Sequence, residues 1–89
     1  AGSAMSADAG AIRAWMVDYI TSVIDMPKDG FPVEDRFDAY GLDSVELVIM
    51  CGMMEEAFSV PVEPGELFEN PSVALFADHL AGRIAAKAA

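Results

Sequence analysis

The sequence predicts an all-α fold: a small antiparallel helical bundle of three main helices plus one short helix, with a long loop between the first and second. Three observations predict it. Apolar residues recur at three- and four-residue steps over three stretches, the spacing of one helix face. Proline and glycine cluster between those stretches and break them apart. No run of any length alternates apolar with polar residues. The best strand candidate, Val60-Pro61-Val62, holds a proline that cannot donate to a ladder.

The first helix is expected to start near Ser6 or Asp8 and to run to about Ile24. Its stripe is Ile12, Trp15, Met16, Tyr19, Ile20, Val23 and Ile24. Asp8 complements the positive end of the helix dipole. Trp15 and Tyr19 are read as core packing rather than as a binding pair. The stretch from Asp25 to Pro32 ends the helix with two prolines and a glycine. It opens a loop of about 18 residues, to Asp43, a length that is uncommon in small domains and often functional. Phe31, Val33, Phe37, Tyr40 and Leu42 are the expected anchors of that loop on the core. Asp25, Asp29 and Gly30 fall where a calcium loop wants them, but Arg36 stands where it needs a bidentate glutamate. A solvated acidic loop is the better reading, and no metal site is expected.

The second helix is expected from Ser44 to about Phe58. Leu47, Met50, Cys51, Met54 and Phe58 form its core stripe. Ser44, at the helix start, is a favoured N-cap type. Val45, Val48 and Ile49 lie off the stripe and are still apolar, with Gly52 and Glu56 continuing that face. Charges gather at the helix ends: Asp43 and Glu46 at one, Glu55 and Glu56 at the other. An apolar patch with an acidic border is the pattern of a docking surface; a homodimer contact or a more enclosed helix would explain it too. Ser59 to Gly65 is a connection. Glu66 to Glu69 suffices for one helical turn. Asn70-Pro71-Ser72-Val73 starts the last helix, with proline at its first position and Asn or Ser as cap. That helix is expected to reach about Ala85 on a stripe of Val73, Phe76, Ala77, Leu80 and Ile84, its alanine-rich tail fraying.

A length of 89 residues fits one domain. Ala1 to Ala4, ahead of Met5, resemble an expression remnant, so the domain is expected over 5–89, with its core over about 8–85. The single cysteine, Cys51, forms no internal disulfide, which fits a reducing compartment; a cytoplasmic monomer is expected. Five basic against 15 acidic residues give a net charge of −10. Such a surface repels nucleic acid and anionic membranes and favours partners with basic patches. No apolar run is long enough to span a membrane.

A nucleophilic role for Ser44 needs a general base and an oxyanion site. His79, the only histidine, lies in the last helix and is read as a surface residue. Gly41-Leu42-Asp43-Ser44-Val45 is not a nucleophile elbow. No Cys/His cluster or glycine-rich phosphate loop is present. No catalytic residues are assigned, and the chain is not expected to be an enzyme.

Gly41-Leu42-Asp43-Ser44-Val45 resembles the Gly-Leu-Asp-Ser-hydrophobic signature of acyl carrier proteins. The resemblance extends to Phe37 and Tyr40 before it, to Glu55-Glu56-Ala57-Phe58, and to Leu67-Phe68-Glu69-Asn70-Pro71-Ser72-Val73 with Phe76, Ala77 and Leu80. It covers about residues 8–85. It implies that Ser44 is the attachment site of 4′-phosphopantetheine, transferred from coenzyme A by a phosphopantetheinyl transferase. Asp43 would flank the site as part of the motif, in contact with partners and holding the arm outward. Val45, Glu46, Val48, Ile49, Glu55 and Glu56 would form the docking face for acyl-loading and acyl-processing enzymes, an acyltransferase or acyl ligase and a ketosynthase. Leu47, Met50, Met54, Phe58, Ile12, Phe76 and Leu80 would line the core. The Leu67 to Ser72 stretch, and Ile49 where fatty-acid carriers commonly hold an acid, look like polyketide or specialised lipid carriers. Peptidyl carriers usually have Gly-Gly-[His/Asp]-Ser before the modified site, and Leu42-Asp43 differs. A peptidyl or aryl carrier, or an unmodified helical interaction module, are the alternatives.

Overall fold

The computed structural model describes residues 8–88; the Ser6 start, Met5 and the segment 1–4 lie outside them. The expected all-helical fold is what forms. Helix α1 (Ala9–Val23) begins because the Asp8 side chain accepts the Ala11 N–H at 2.8 Å, supplying one of the partners that a helix start lacks. It buries Ile12, Met16 and Ile20, while Trp15, Tyr19 and Ile24 pack at the margin. Val23 turns outward, so the buried stripe is narrower than the seven apolar residues suggested.

The loop after α1 is anchored as expected: Phe31, Phe37 and Leu42 are buried, and Val33 and Tyr40 pack against them. It also contains a short 3-10 helix, Phe37–Tyr40, where the sequence reading saw no regular structure. Gly41 ends it at φ 94°, a left-handed conformation that glycine adopts without the steric cost other residues carry. The loop is laced to the start of the last helix. The Phe37 N–H donates to the Pro71 carbonyl at 2.8 Å, the Ala74 N–H donates to the Val33 carbonyl at 2.9 Å, and Arg36 bridges Ser72 in antiparallel fashion. These bonds hold the segment leading to Ser44 in one place.

Helix α2 (Ser44–Phe58) buries Leu47, Met50, Cys51 and Met54. Helix α3 (Pro64–Glu69) starts two residues before the expected Glu66. Pro64 occupies its first position, where a missing N–H costs nothing, and the Glu66 carboxylate accepts the Glu63 N–H at 2.9 Å. Helix α4 (Val73–Ala88) is capped by Ser72, whose buried hydroxyl accepts the Leu75 N–H at 3.1 Å. Pro71 therefore stands just before the cap, not inside the helix. The helix extends to Ala88, three residues past the expected Ala85, in keeping with alanine's high helix propensity. Helix α1 packs on α4, and α2 packs on α3. Among the described residues, no helix is long and apolar enough to cross a membrane.

His79, read from the sequence as a surface residue, is one-third exposed and is engaged by a partner. Its Nε2 lies 2.7 Å from Glu66 Oε1, and its ring packs near Phe76. Arg83 donates to the same Glu66 oxygen at 2.8 Å and to the Pro61 carbonyl at 2.8 Å. This knot ties α3 and the connection before it to α4. Burial alone would raise the Glu66 carboxyl, but the Glu63 N–H, His79 and Arg83 together hold it below the ordinary glutamate range. A lowered folded-state value stabilises the fold above the unfolded-state value and loses that contribution as pH falls through the folded one. Glu66→Gln is therefore expected to melt below wild type at neutral pH. The gap should narrow in acid, which parallel denaturant titrations across that range would show.

Candidate functional site

Asp43, not Ser44, caps α2. Asp43 has extended backbone, and its Oδ1 accepts the Glu46 N–H at 2.9 Å while its carbonyl takes the Leu47 N–H at 3.1 Å. Ser44 is the first residue inside the helix. The sequence marks Ser44 as a favoured N-cap type, and aspartate suits that position as well. The extended backbone at Asp43 decides between them, and sequence does not display it. The consequence is chemical. The Asp43 carboxylate is turned to the helix start, where the backbone N–H groups and dipole complement its charge. The Ser44 hydroxyl is not used by the cap and stands on an exposed residue. Leu42, buried one residue before Asp43, and the left-handed Gly41 hold this corner of the chain against the core.

Among the described residues, no histidine or reactive thiol stands at the helix start, and the carboxylates of Asp43 and Asp38 are engaged with the Glu46 N–H and with Arg36. His79 is engaged with Glu66. The Cys51 thiol is pushed up to about 11, first by burial and then by the charges of Glu66 and Glu55, so it stays protonated in α2's core face. Burial, with Asp35 nearby, pushes the Tyr40 phenol up to about 12. These groups are poor nucleophiles or proton acceptors at neutral pH. Beside Ser44 lies a groove of about 300 Å³, between the loop, the first turn of α2 and α3. Leu42, Leu47, Leu67 and Phe68 give it apolar walls, and Arg36 is the one cationic residue lining it.

On the outer face of α2, Val45 is 64% exposed, Val48 47% and Ile49 48%. Met53, 49% exposed, extends this face, and the sequence reading missed it. The signal was available, since Val45, Ile49 and Met53 are spaced by four. Glu56 is exposed on the same helix, and Glu46 is half-buried near Tyr19. Glu55 has a second engagement: its Oε2 accepts the Val62 N–H at 2.9 Å, pinning the connection that leads to α3. Trp15 and Tyr19 stack with ring centres 5.6 Å apart, and the Phe58 ring meets Trp15 edge-on at 5.8 Å. They close the α1–α2 seam at its rim, half-buried rather than fully in the core.

Comparison with known proteins accords with this geometry. The family model described as the phosphopantetheine attachment site matches residues 14–80. A polyketide synthase of Bacillus subtilis (strain 168), PksL, is 27% identical over 66 residues, 74% of this chain. The chain spans only 2% of that synthase's length. Among solved structures, a free-standing peptidyl carrier protein from an uncharacterised Acinetobacter baumannii secondary metabolic pathway superposes with a TM-score of 0.80 at 20% identity, covering 88% of this chain and 98% of its own. The HMG-ACPI domain of the CurA module from Lyngbya majuscula superposes with a TM-score of 0.79 at 12% identity, covering 93% and 84%. At those identities the structural matches establish the fold alone.

Proposed function

From the premise that this chain belongs to the phosphopantetheine attachment-site family, whose members carry covalent 4′-phosphopantetheine, we propose that Ser44 bears the arm and that the domain carries acyl groups in polyketide or specialised lipid synthesis. The observation that carries this reading is the cap. With Asp43 satisfying the helix start, Ser44 offers an uncommitted, exposed hydroxyl beside an apolar-walled groove. Those residues fit the arm. When attached, the arm supplies a terminal thiol that holds an acyl group as a thioester. In the attachment step the Ser44 oxygen loses its proton, bonds to the phosphorus bearing pantetheine in coenzyme A, and releases adenosine 3′,5′-bisphosphate. A phosphopantetheinyl transferase supplies the base for this step; the carboxylate beside Ser44, that of Asp43, is spent on the helix cap. Carrier domains of this family serve such transferases and synthase enzymes, and they present cargo to catalysts rather than act as catalysts themselves.

Val45, Val48, Ile49 and Met53 form the docking face on this reading, with Glu46, Glu55 and Glu56 as its acidic rim for basic partners, chiefly an acyltransferase or acyl ligase and a ketosynthase. A cytoplasmic, monomeric carrier suits these roles. Ile49→Asp should reduce acyl loading by a partner enzyme by roughly tenfold or more if the patch is an interface hot spot, with helicity unchanged by circular dichroism. Unaltered loading kinetics would remove Ile49 from the interface.

The similarity to a polyketide synthase region favours acyl over peptidyl cargo. The peptidyl alternative shares the same fold, as the Acinetobacter carrier shows, so cargo has to be separated by experiment. The test begins with holo protein prepared from coenzyme A. Loading is then compared between an acyltransferase with malonyl-coenzyme A and an adenylation enzyme with an amino acid and ATP. An acyl thioester and no aminoacyl thioester is the expected result; the reverse would overturn the acyl assignment.

A further inference from the structure

Two side chains near Ser44 stand half or more in solvent. Phe68 is 52% exposed on α3, an unusual place for so large an apolar ring. Arg36 is two-thirds exposed at 67% and contacts only Asp38, Nε to Oδ1 at 3.3 Å, an exposed pair of the kind that adds little stability. Both line the groove that contains Ser44.

The charges around that groove make the pairing informative. Asp38 and Asp43 line it as well, and Glu46 follows within the first turn of α2. A phosphodiester on Ser44 adds a further negative charge to this acidic corner. Arg36 alone among the lining residues can offset it. Its position is also well defined for a loop residue. The backbone at Arg36 bridges Ser72, and the next N–H, that of Phe37, is held by the Pro71 carbonyl. The Asp38 contact engages Nε, so the two terminal guanidinium nitrogens can face a phosphate oxygen. The groove's volume of about 300 Å³ lies at the small end of ligand sites. It holds part of an arm and leaves no room for a long chain as well.

We propose that Arg36 is a positioning residue for the arm: its guanidinium pairs with the phosphodiester on Ser44 and turns the arm away from the Glu46 side of α2, so that the arm's gem-dimethyl segment rests on Phe68 and Leu67. This rests on the reading of Ser44 as the attachment site. It accounts for the exposed ring and the loosely paired arginine together. It also makes α3 and the loop, not the α2 docking face, the resting place of the arm between partners. The docking face is then left clear while the arm is parked.

Isotope-labelled protein is modified with unlabelled coenzyme A, and complete modification is checked by intact mass. Contacts from the arm's methyl protons to the protein are then read by isotope-filtered NMR. Wild type is expected to show contacts to the Phe68 ring and the Leu67 methyl groups. Arg36→Gln should lose most of them, Arg36→Lys should restore them in part, and the unmodified Arg36→Gln protein should melt with wild type. High salt should weaken the wild-type contacts as the glutamine variant does. Undiminished contacts in Arg36→Gln, or fully modified wild type with no contacts to the groove, would overturn the proposal and leave the attachment site intact. A wild-type protein that gains no mass with an active transferase would overturn both, at the first step.

Discussion

Ser44→Ala should take up no phosphopantetheine from coenzyme A, at any time or transferase concentration at which wild type is fully converted, and should fold with wild-type stability. The first part follows from the placement of hydroxyls. Ser22 donates to the Tyr19 carbonyl at 2.6 Å and Thr21 to the Val17 carbonyl at 2.7 Å, both on α1. Ser72 is buried and accepts the Leu75 N–H. Ser59 follows the C-terminal end of α2, where carbonyl groups and the nearby Glu55 and Glu56 disfavour another negative charge. Among the described residues, only Ser44 combines exposure with a helix N-terminus. The second part follows from the cap. Because Asp43 accepts the first-turn N–H, alanine at 44 removes no backbone partner, and a surface change of that kind stays within about 0.5 kcal/mol. Asp43→Ala should instead cost about 1 kcal/mol. Thermal or denaturant melts of the two variants distinguish the roles. Loss of stability in Ser44→Ala with none in Asp43→Ala would return the cap to the serine.

Phe76→Ala should lose about 3–5 kcal/mol, the range for removing a fully buried aromatic ring. Phe76 is wholly buried on α4. It belongs to the core that joins Ile12 and Met16 of α1 to Met50 and Met54 of α2. Domains of this size have only about 5–15 kcal/mol in total, so the variant should lose a large fraction of its stability. Denaturant titration by circular dichroism would show a much lower midpoint. A midpoint near wild type would mean that the core closes without that ring.

The helical plan was legible because the apolar spacing of α1, α2 and α4 is regular and the prolines fall between them. The misses have local physical causes. The 3-10 helix at Phe37–Tyr40 is too short for a periodic signal and is set by contacts with Pro71 and with Gly41. Pro64 lies in the stretch expected to be a connection, but proline is a good first helical residue, and Glu66 completes that start. His79 appeared solvent-facing because its partner, Glu66, is thirteen residues away on another helix. Ser44 stood out through its motif. Its freedom from the cap did not, since that depends on the backbone angles of its neighbour. Met53 extends the outer face because it lies four residues after Ile49, a spacing that the adjacent core residue Met54 masks in the sequence. The second engagement of Glu55, with the Val62 N–H, is a tertiary contact that composition and spacing do not encode.

The central claim is that the arm is attached at Ser44, and mapping it on the wild-type protein tests this most directly. The purified chain is incubated with coenzyme A and a broad-specificity phosphopantetheinyl transferase, digested, and sequenced by tandem mass spectrometry with detection of the released pantetheine fragment. One phosphopantetheine per chain is expected, on the peptide containing Gly41-Leu42-Asp43-Ser44-Val45, with the fragment series placing it on Ser44. A modification located on any other residue, or an unmodified chain alongside a control carrier that the same transferase converts, would contradict it.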